Sequence, residues 1–184
     1  MVDLIGNETA LGNLLAVLEA GGFRRYTRLH RMARSQASEA AKPVAEDAPV
    51  NCAEPSDGEA IFELLSRSFD PHAEQLPTRY EIESAIESRQ ILVARRDGLL
   101  GGLLFFETQG LTSTIRYWLV DEPFRAFRLG SALMRRFLST QTAVRRFVLW
   151  VIADNQGAIE KYRHYGFAPD GLVDHVLANS QVRA

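Results

Sequence analysis

Two arginines, Arg125 and Arg128, stand just ahead of the run LGSALMRRFL, which begins at Leu129. Leu129, Leu133 and Phe137 recur four apart with Ala132 beside them, the spacing of one buried helical face. The first turn then falls near Leu129 to Ser131, and both arginines sit at the amino end. Backbone N–H groups there lack intrahelical acceptors, and the macrodipole adds partial positive charge. A basic side chain at that end costs from a few tenths of a kcal/mol to about 1 kcal/mol unless an anion is near. The pattern suits an anion-binding loop; a solvated basic face is the alternative. Further on, Ala158, Ile159, Tyr162 and Tyr165 share one side of a second helix that ends at Gly166. By spacing alone Tyr162 is a core tyrosine, and Asn155 is of the type that caps a helix amino end.

The strand TSTIRYWLV, Thr112 to Val120, leads through a short turn into the arginine loop. Strand, turn and helix in that order bring backbone N–H groups together around a phosphate. No Gly-Lys-Ser/Thr follows, which excludes a nucleotide P-loop. One glycine, Gly130, stands where a dinucleotide fingerprint needs three. The strand carries no carboxylate, and its Arg116 hints at an anionic group on a substrate. Glu107 on the preceding strand, and Asp174 or His175 near the chain's end, are the candidates for a general base, with a water chain as the alternative.

Positioning these residues takes one domain with an appendage. The chain has 184 residues, 46% hydrophobic and 24% charged, with net charge -2, which suffices for a proper core. The balanced charge argues against a nucleic-acid or anionic-membrane binder. Cys52 is the only cysteine, so neither an internal disulfide nor a cysteine metal site can form. The start, MVDLIGNETA, lacks a basic stretch ahead of an apolar run, and no stretch is apolar enough to span a bilayer, so a cytoplasmic location is expected.

Residues 1–34 read as a helix, capped by Asn7 or Thr9 and carrying Leu11, Leu14, Leu15 and Leu18 to Gly21-Gly22, then FRRYTRLHRMAR, ambiguous between helix and strand. Residues 35–49 read as a linker, and residues 50–184 as the main domain. There a short strand at Val50 to Ala53 precedes a helix bearing Ile61, Leu64, Leu65 and Phe69, and a helix spans Thr78 to Arg89. Strands follow at Gln90 to Arg96, Leu99 to Thr108 and Leu111 to Val120, the first two joined by an Asp97-Gly98 hairpin turn. After the Leu129 helix come an apolar strand at Phe147 to Ile152, a helix at Asn155 to Tyr165 and a last strand at Leu172 to Leu177. The order predicts an α/β fold: a mixed, mostly antiparallel central sheet with helices on both faces.

VDEPFRAFRLGSALM, Val120 to Met134, resembles the R/Q-x-x-G-x-G/A cofactor motif of the GCN5-related N-acetyltransferases, and NQGAIEKYRHYGF, Asn155 to Phe167, is similar to their N-x-x-A-x-x-x-Y-x-x-x-G-F. The resemblance covers about Val50 to Leu177. It implies an acetyl-CoA-dependent N-acetyltransferase acting on a small-molecule or peptide amine by direct attack in a ternary complex, with no metal. Its cofactor residues would be Trp118, Leu119 and Val120 beside the pantetheine, amides from Ala126, Phe127, Arg128, Leu129, Gly130 and Ser131 on the pyrophosphate, with Arg125, and Asn155 on the pantetheine amides. Tyr162 would protonate the departing thiolate, and a backbone N–H near Leu119–Val120 would polarise the carbonyl. His72 falls in a loop that often walls the acceptor site in this family; an exposed loop histidine is the alternative. Arg128 departs from the pattern, standing at the family's first glycine. A side chain there demands an unstrained φ, and either crowds the phosphate or grips it. The rival reading is a non-catalytic acyl-CoA-binding or partner-binding module on the same fold.

LEAGGF, Leu18 to Phe23, echoes YRHYGF, Tyr162 to Phe167, each closing a helix; a remnant of duplication, an added edge strand and coincidence all account for it. The leucine stripe cannot stay in water on a lone short helix. Residues 1–34 are therefore expected to pack on the core, with Phe23 to Arg34 extended along a sheet edge, or to cross to a second subunit in a homodimer.

Overall fold

A computed structural model of the chain describes residues 1–36 and 49–179; most of the linker expected at 35–49 lies outside the described residues. In chain order the elements are β1 Val2–Asn7, α1 Glu8–Ala20, β2 Phe23–Ser35, β3 Val50–Cys52, α2 Gly58–Ser68, α3 Arg79–Glu87, β4 Ile91–Arg96, β5 Leu99–Gln109, β6 Thr112–Val120, α4 Leu129–Thr140, β7 Arg146–Ile152, α5 Gln156–His164 and β8 Ala168–Asn179. This is a mixed α/β fold of eight described strands, mostly antiparallel, with helices, as the element order predicts. The chain forms two compact units. Met1–Arg34 groups with the chain from Val148 onward, and Ser35–Phe147 makes the other.

In the first unit the strands run β1-β8-β2-β7. The FRRYTRLHRMAR segment is strand, paired antiparallel with β8 from Phe23↔Asn179 to Ala33↔Ala168. It is not an edge: β2 lies between β8 and β7, and the edge is β1. Strand β1 leaves no signal in the sequence, because Val-Asp-Leu-Ile-Gly-Asn has neither clean alternation nor an apolar run. Of the leucine stripe, Leu11 and Leu15 are buried against Val173 and Leu177, with Leu18 partly buried beside them, whereas Leu14 turns out to solvent. Arg34 is buried and donates from Nη1 to the Tyr165 carbonyl at 2.7 Å.

In the second unit β3, β4, β5 and β6 form successive antiparallel pairs. Asp97 and Gly98 both take positive φ, 53° and 79°, as the two-residue hairpin turn between β4 and β5 requires. Thr78 caps α3, accepting from the Glu81 N–H at 3.2 Å while Glu81 accepts from the Thr78 N–H at 2.7 Å. Ile61, Leu64 and Leu65 of α2 and Ile82 and Ile86 of α3 close over Ile91, Val93, Leu103 and Phe105. Phe137 of α4 packs its ring 4.9 Å from Phe106 and 5.4 Å from Phe147.

Candidate functional site

The second unit carries the strand, loop and helix singled out by sequence. Beyond β6 the chain turns through Asp121, makes a 3-10 turn at Glu122–Phe127 and enters α4 at Leu129. Asp121 fixes the exit: its N–H donates to the Gly101 carbonyl at 3.0 Å, Oδ1 accepts from the Glu122 N–H at 2.9 Å, and Oδ2 accepts from Arg67 at 2.6 Å. Arg125, Ala126, Phe127 and Arg128 are exposed, whereas the Leu129 side chain is buried. The first α-type bond of α4 runs from the Ala132 N–H to the Arg128 carbonyl. The amides of Leu129, Gly130 and Ser131 therefore precede any intrahelical acceptor. An anion of the pyrophosphate class fits those donors and the two arginines.

Arg128 corrects one expectation. Its φ of 56° and ψ of 19° are left-handed, not unstrained. Glycine takes that conformation without a Cβ clash, which gives a physical reason for a glycine at this point of the motif. Arginine holds it at about 1–2 kcal/mol, and the bend turns the chain from the 3-10 turn into α4.

Close approach governs the rest of the loop. A Cβ on Gly130 would lie 3.2 Å from Val120 Cγ2 and 3.5 Å from the Trp118 ring. Trp118 Nε1 donates to the Gly130 carbonyl at 3.0 Å, tying β6 to the first turn of α4. On β5, a Cβ at Gly101 would come 2.5 Å from Leu129 Cδ1, so Gly101 lets α4 settle on the sheet. Trp118, Leu119 and Val120 are each half-buried. Upstream, Phe105↔Tyr117 is followed by Phe106↔Ile115, so Arg116 is an extra residue: a β-bulge. Bulges bend a strand, re-aim side chains and interrupt pairing. No local signal marks it, since TSTIRYWLV reads as an unbroken strand.

Beside the bulge lies the loop between α2 and α3. The Tyr117 hydroxyl donates to the Gln75 carbonyl, Arg116 Nη2 reaches the same oxygen at 3.4 Å, and Arg116 Nη1 pairs with Glu107. Glu107 is therefore engaged by Arg116. Glu74, one residue before Gln75, has its carboxyl pKa raised to about 7: burial raises it, its Asp70 backbone hydrogen bond lowers it and the Asp70 charge adds to the rise. No spacing rule pointed to Glu74, because loop residues have no periodicity to read. His72 is exposed, as the alternative had it.

Asn155 and Tyr162 belong to the first unit. Asn155 caps α5, its side chain accepting from the Ala158 N–H at 3.1 Å. Ile159 and Tyr165 are buried, but Tyr162 is only half-buried, its ring 6.0 Å from Phe167 and edge-on to it. It is thus less enclosed than Ile159 and Tyr165 on the same stripe. Asp174 and His175 lie on β8 between β1 and β2. His175 is 1% exposed, and burial pushes its pKa below the ordinary imidazole value. Asp174 is pushed up to about 6 by burial and the Asp3 charge, with a hydrogen bond from the Leu4 backbone opposing. Among the described residues no group of three or more His, Cys, Asp or Glu could hold a metal ion, and no helix is long and apolar enough to cross a membrane.

Residues 58–167 match the model of the acetyltransferase (GNAT) family. The chain belongs to that family. Its fold is similar to a GCN5-related N-acetyltransferase from Sphaerobacter thermophilus, with TM-score 0.72 and 18% identity over 100% of this chain and 61% of that one. A GCN5-related N-acetyltransferase from Kribbella flavida gives 0.67 and 17%, over 98% of this chain and 68% of the other. Rv2747 from Mycobacterium tuberculosis, a structure containing CoA, gives 0.53 and 18%, over 62% and 70%. At these identities the likeness is one of fold. The chain spans 61% of the length of the Sphaerobacter protein. No curated protein matches the sequence.

Proposed function

We propose that this chain is an acetyl-CoA-dependent N-acetyltransferase that acylates an amine on a small molecule or peptide by direct attack in a ternary complex. The observation that carries the reading is the amino end of α4, where amides without intrahelical acceptors meet exposed Arg125 and Arg128 directly after β6. Amides from Ala126 to Ser131 hold the pyrophosphate, and Trp118, Leu119, Val120 and Asn155 bind the pantetheine arm. Acetyl-CoA supplies the activated acyl group. A backbone N–H near Leu119–Val120 polarises the thioester carbonyl, and the Tyr162 hydroxyl is the proton donor for the thiolate. A cytoplasmic location accords with this reading.

For the amine's proton we propose Glu74. It sits in the loop whose next residue is held by Tyr117 and Arg116 at the bulge, and its pKa of about 7 suits a base working near neutrality. The test is release of free thiol from acetyl-CoA across a panel of small amines, amino sugars and peptide amino termini. With an active acceptor, kcat/KM should rise with pH through about 7, the range in which Glu74 ionises. Glu74→Gln should remove that limb and lower the plateau by roughly 10²-fold or more. An unchanged pH profile in Glu74→Gln overturns the base assignment. Acetyl-CoA binding with no turnover on any amine favours the non-catalytic module instead.

A further inference from the structure

The first unit contains one strand–helix–strand motif twice. Asn7-Glu-Thr-Ala-Leu at the start of α1 repeats the N-x-x-A spacing of Asn155-Gln-Gly-Ala-Ile at the start of α5. Leu11 and Ile159, each next after that alanine, are both 5% exposed. Both helices end in Gly-Phe, with Gly22 at φ 90° and Gly166 at φ 81°. Helix α1 has 13 residues and α5 has 9, so the first copy is longer by about one turn. Seven residues past each asparagine stands Tyr162 in one copy and Leu14 in the other, so the first copy repeats the frame without the phenol.

The two copies interlock. In the order β1-β8-β2-β7, β8 lies between both strands of the first copy, and β2 between both strands of the second. Leu172 and Arg28 each stand five residues past the Gly-Phe phenylalanine. Leu172 faces Asn7 of β1, and the Arg28 carbonyl accepts from the Ala153 N–H just beyond β7. The motif is thus self-complementary: its natural partner within the chain is another copy of itself.

Strand β1 has a second edge. Among the described residues its only strand neighbour is β8. Edge strands that must stay unpaired carry charged side chains, above all lysine, or proline or a bulge; Val-Asp-Leu-Ile-Gly-Asn has no lysine, proline or bulge, its single charge is Asp3, and its pairing with β8 is regular. Of the eight exposed large apolar side chains in the described residues, four fall in this copy: Met1, Ile5 at 54%, Leu14 at 52% and Val17 at 68%. Antiparallel self-pairing centred on Leu4 would set Asp3 against Ile5 and Val2 against Gly6. The strand's one charge then never faces itself, as like charges across a pair would disfavour.

We propose that the open edge of β1, with the exposed apolar residues of α1, is the surface on which a second copy of this chain docks. The test is sedimentation velocity on the full chain from low to high micromolar concentration. Twice the 20.6 kDa chain mass is expected at the upper end. Ile5→Lys and Val17→Glu should each return it to the single-chain mass with an unchanged circular-dichroism spectrum, while Tyr80→Glu, at an exposed position on α3, should leave the doubled mass intact. A single-chain mass at every concentration overturns the proposal and leaves the edge to a different protein. So does a dimer that survives both substitutions in folded protein. If Ile5→Lys does not fold, amide exchange of Val2–Asn7 in the wild type decides: slowing with concentration supports the proposal, and concentration-independent exchange overturns it.

Discussion

At the scale of single residues, Arg128 joins two demands that a sequence does not reveal together. Its type and place at the start of a helix are legible; its φ of 56° is not, because nothing about an arginine announces a left-handed backbone. Glycine there would relieve the clash. We expect Arg128→Gly to stabilise the chain by about 1 kcal/mol relative to Arg128→Ala in urea unfolding, since alanine keeps the clash. If both variants unfold at the same midpoint, the strain assignment is wrong. Spacing alone makes Tyr162 a core tyrosine and the family resemblance makes it the proton donor, while its partial exposure emerges only with the fold. Tyr162→Phe retains the ring's packing and removes the proton. Turnover should fall by roughly 10²- to 10⁴-fold with melting temperature nearly unchanged. A core role predicts the opposite pattern: little kinetic effect and about 1 kcal/mol of lost stability.

Among the elements, those with a strong local signal were readable. The Asp97-Gly98 hairpin, the start of a helix at Thr78 and the Leu129–Phe137 stripe each follow from short-range chemistry. Strand β1 and the Arg116 bulge are settled by pairing with distant segments, which leaves no local trace. Placing β8 between β1 and β2 has an electrostatic cost. Asp174 ends up half-buried near Asp3, one of its oxygens has no hydrogen-bond partner, and its pKa rises to about 6. A raised carboxyl pKa means that the folded state binds the extra proton between about pH 4 and 6, so this group's contribution to stability falls as pH rises through that window. Asp174→Asn should therefore stabilise the chain by about 1 kcal/mol at pH 7, after allowance for partial solvent screening. At pH 4 it should give little or no gain. Equal gains in denaturant titrations at both pH values would contradict this account.

For the whole molecule, two motifs in the right order sufficed to indicate the family, and residues 58–167 match its model. The division into units was hidden, because the first 34 residues join the end of the chain across the intervening sequence. The proposed binding of the acetyl-CoA pyrophosphate at the amino end of α4 is tested by a thermal melt with added ligand. A ligand bound only by the folded state adds about 2.7 kcal/mol at a hundredfold excess over its dissociation constant. Acetyl-CoA and CoA should both raise the melting temperature and adenosine should not, with the shift reduced in Arg125→Ala. No shift at millimolar acetyl-CoA, or an equal shift with adenosine, would contradict the claim.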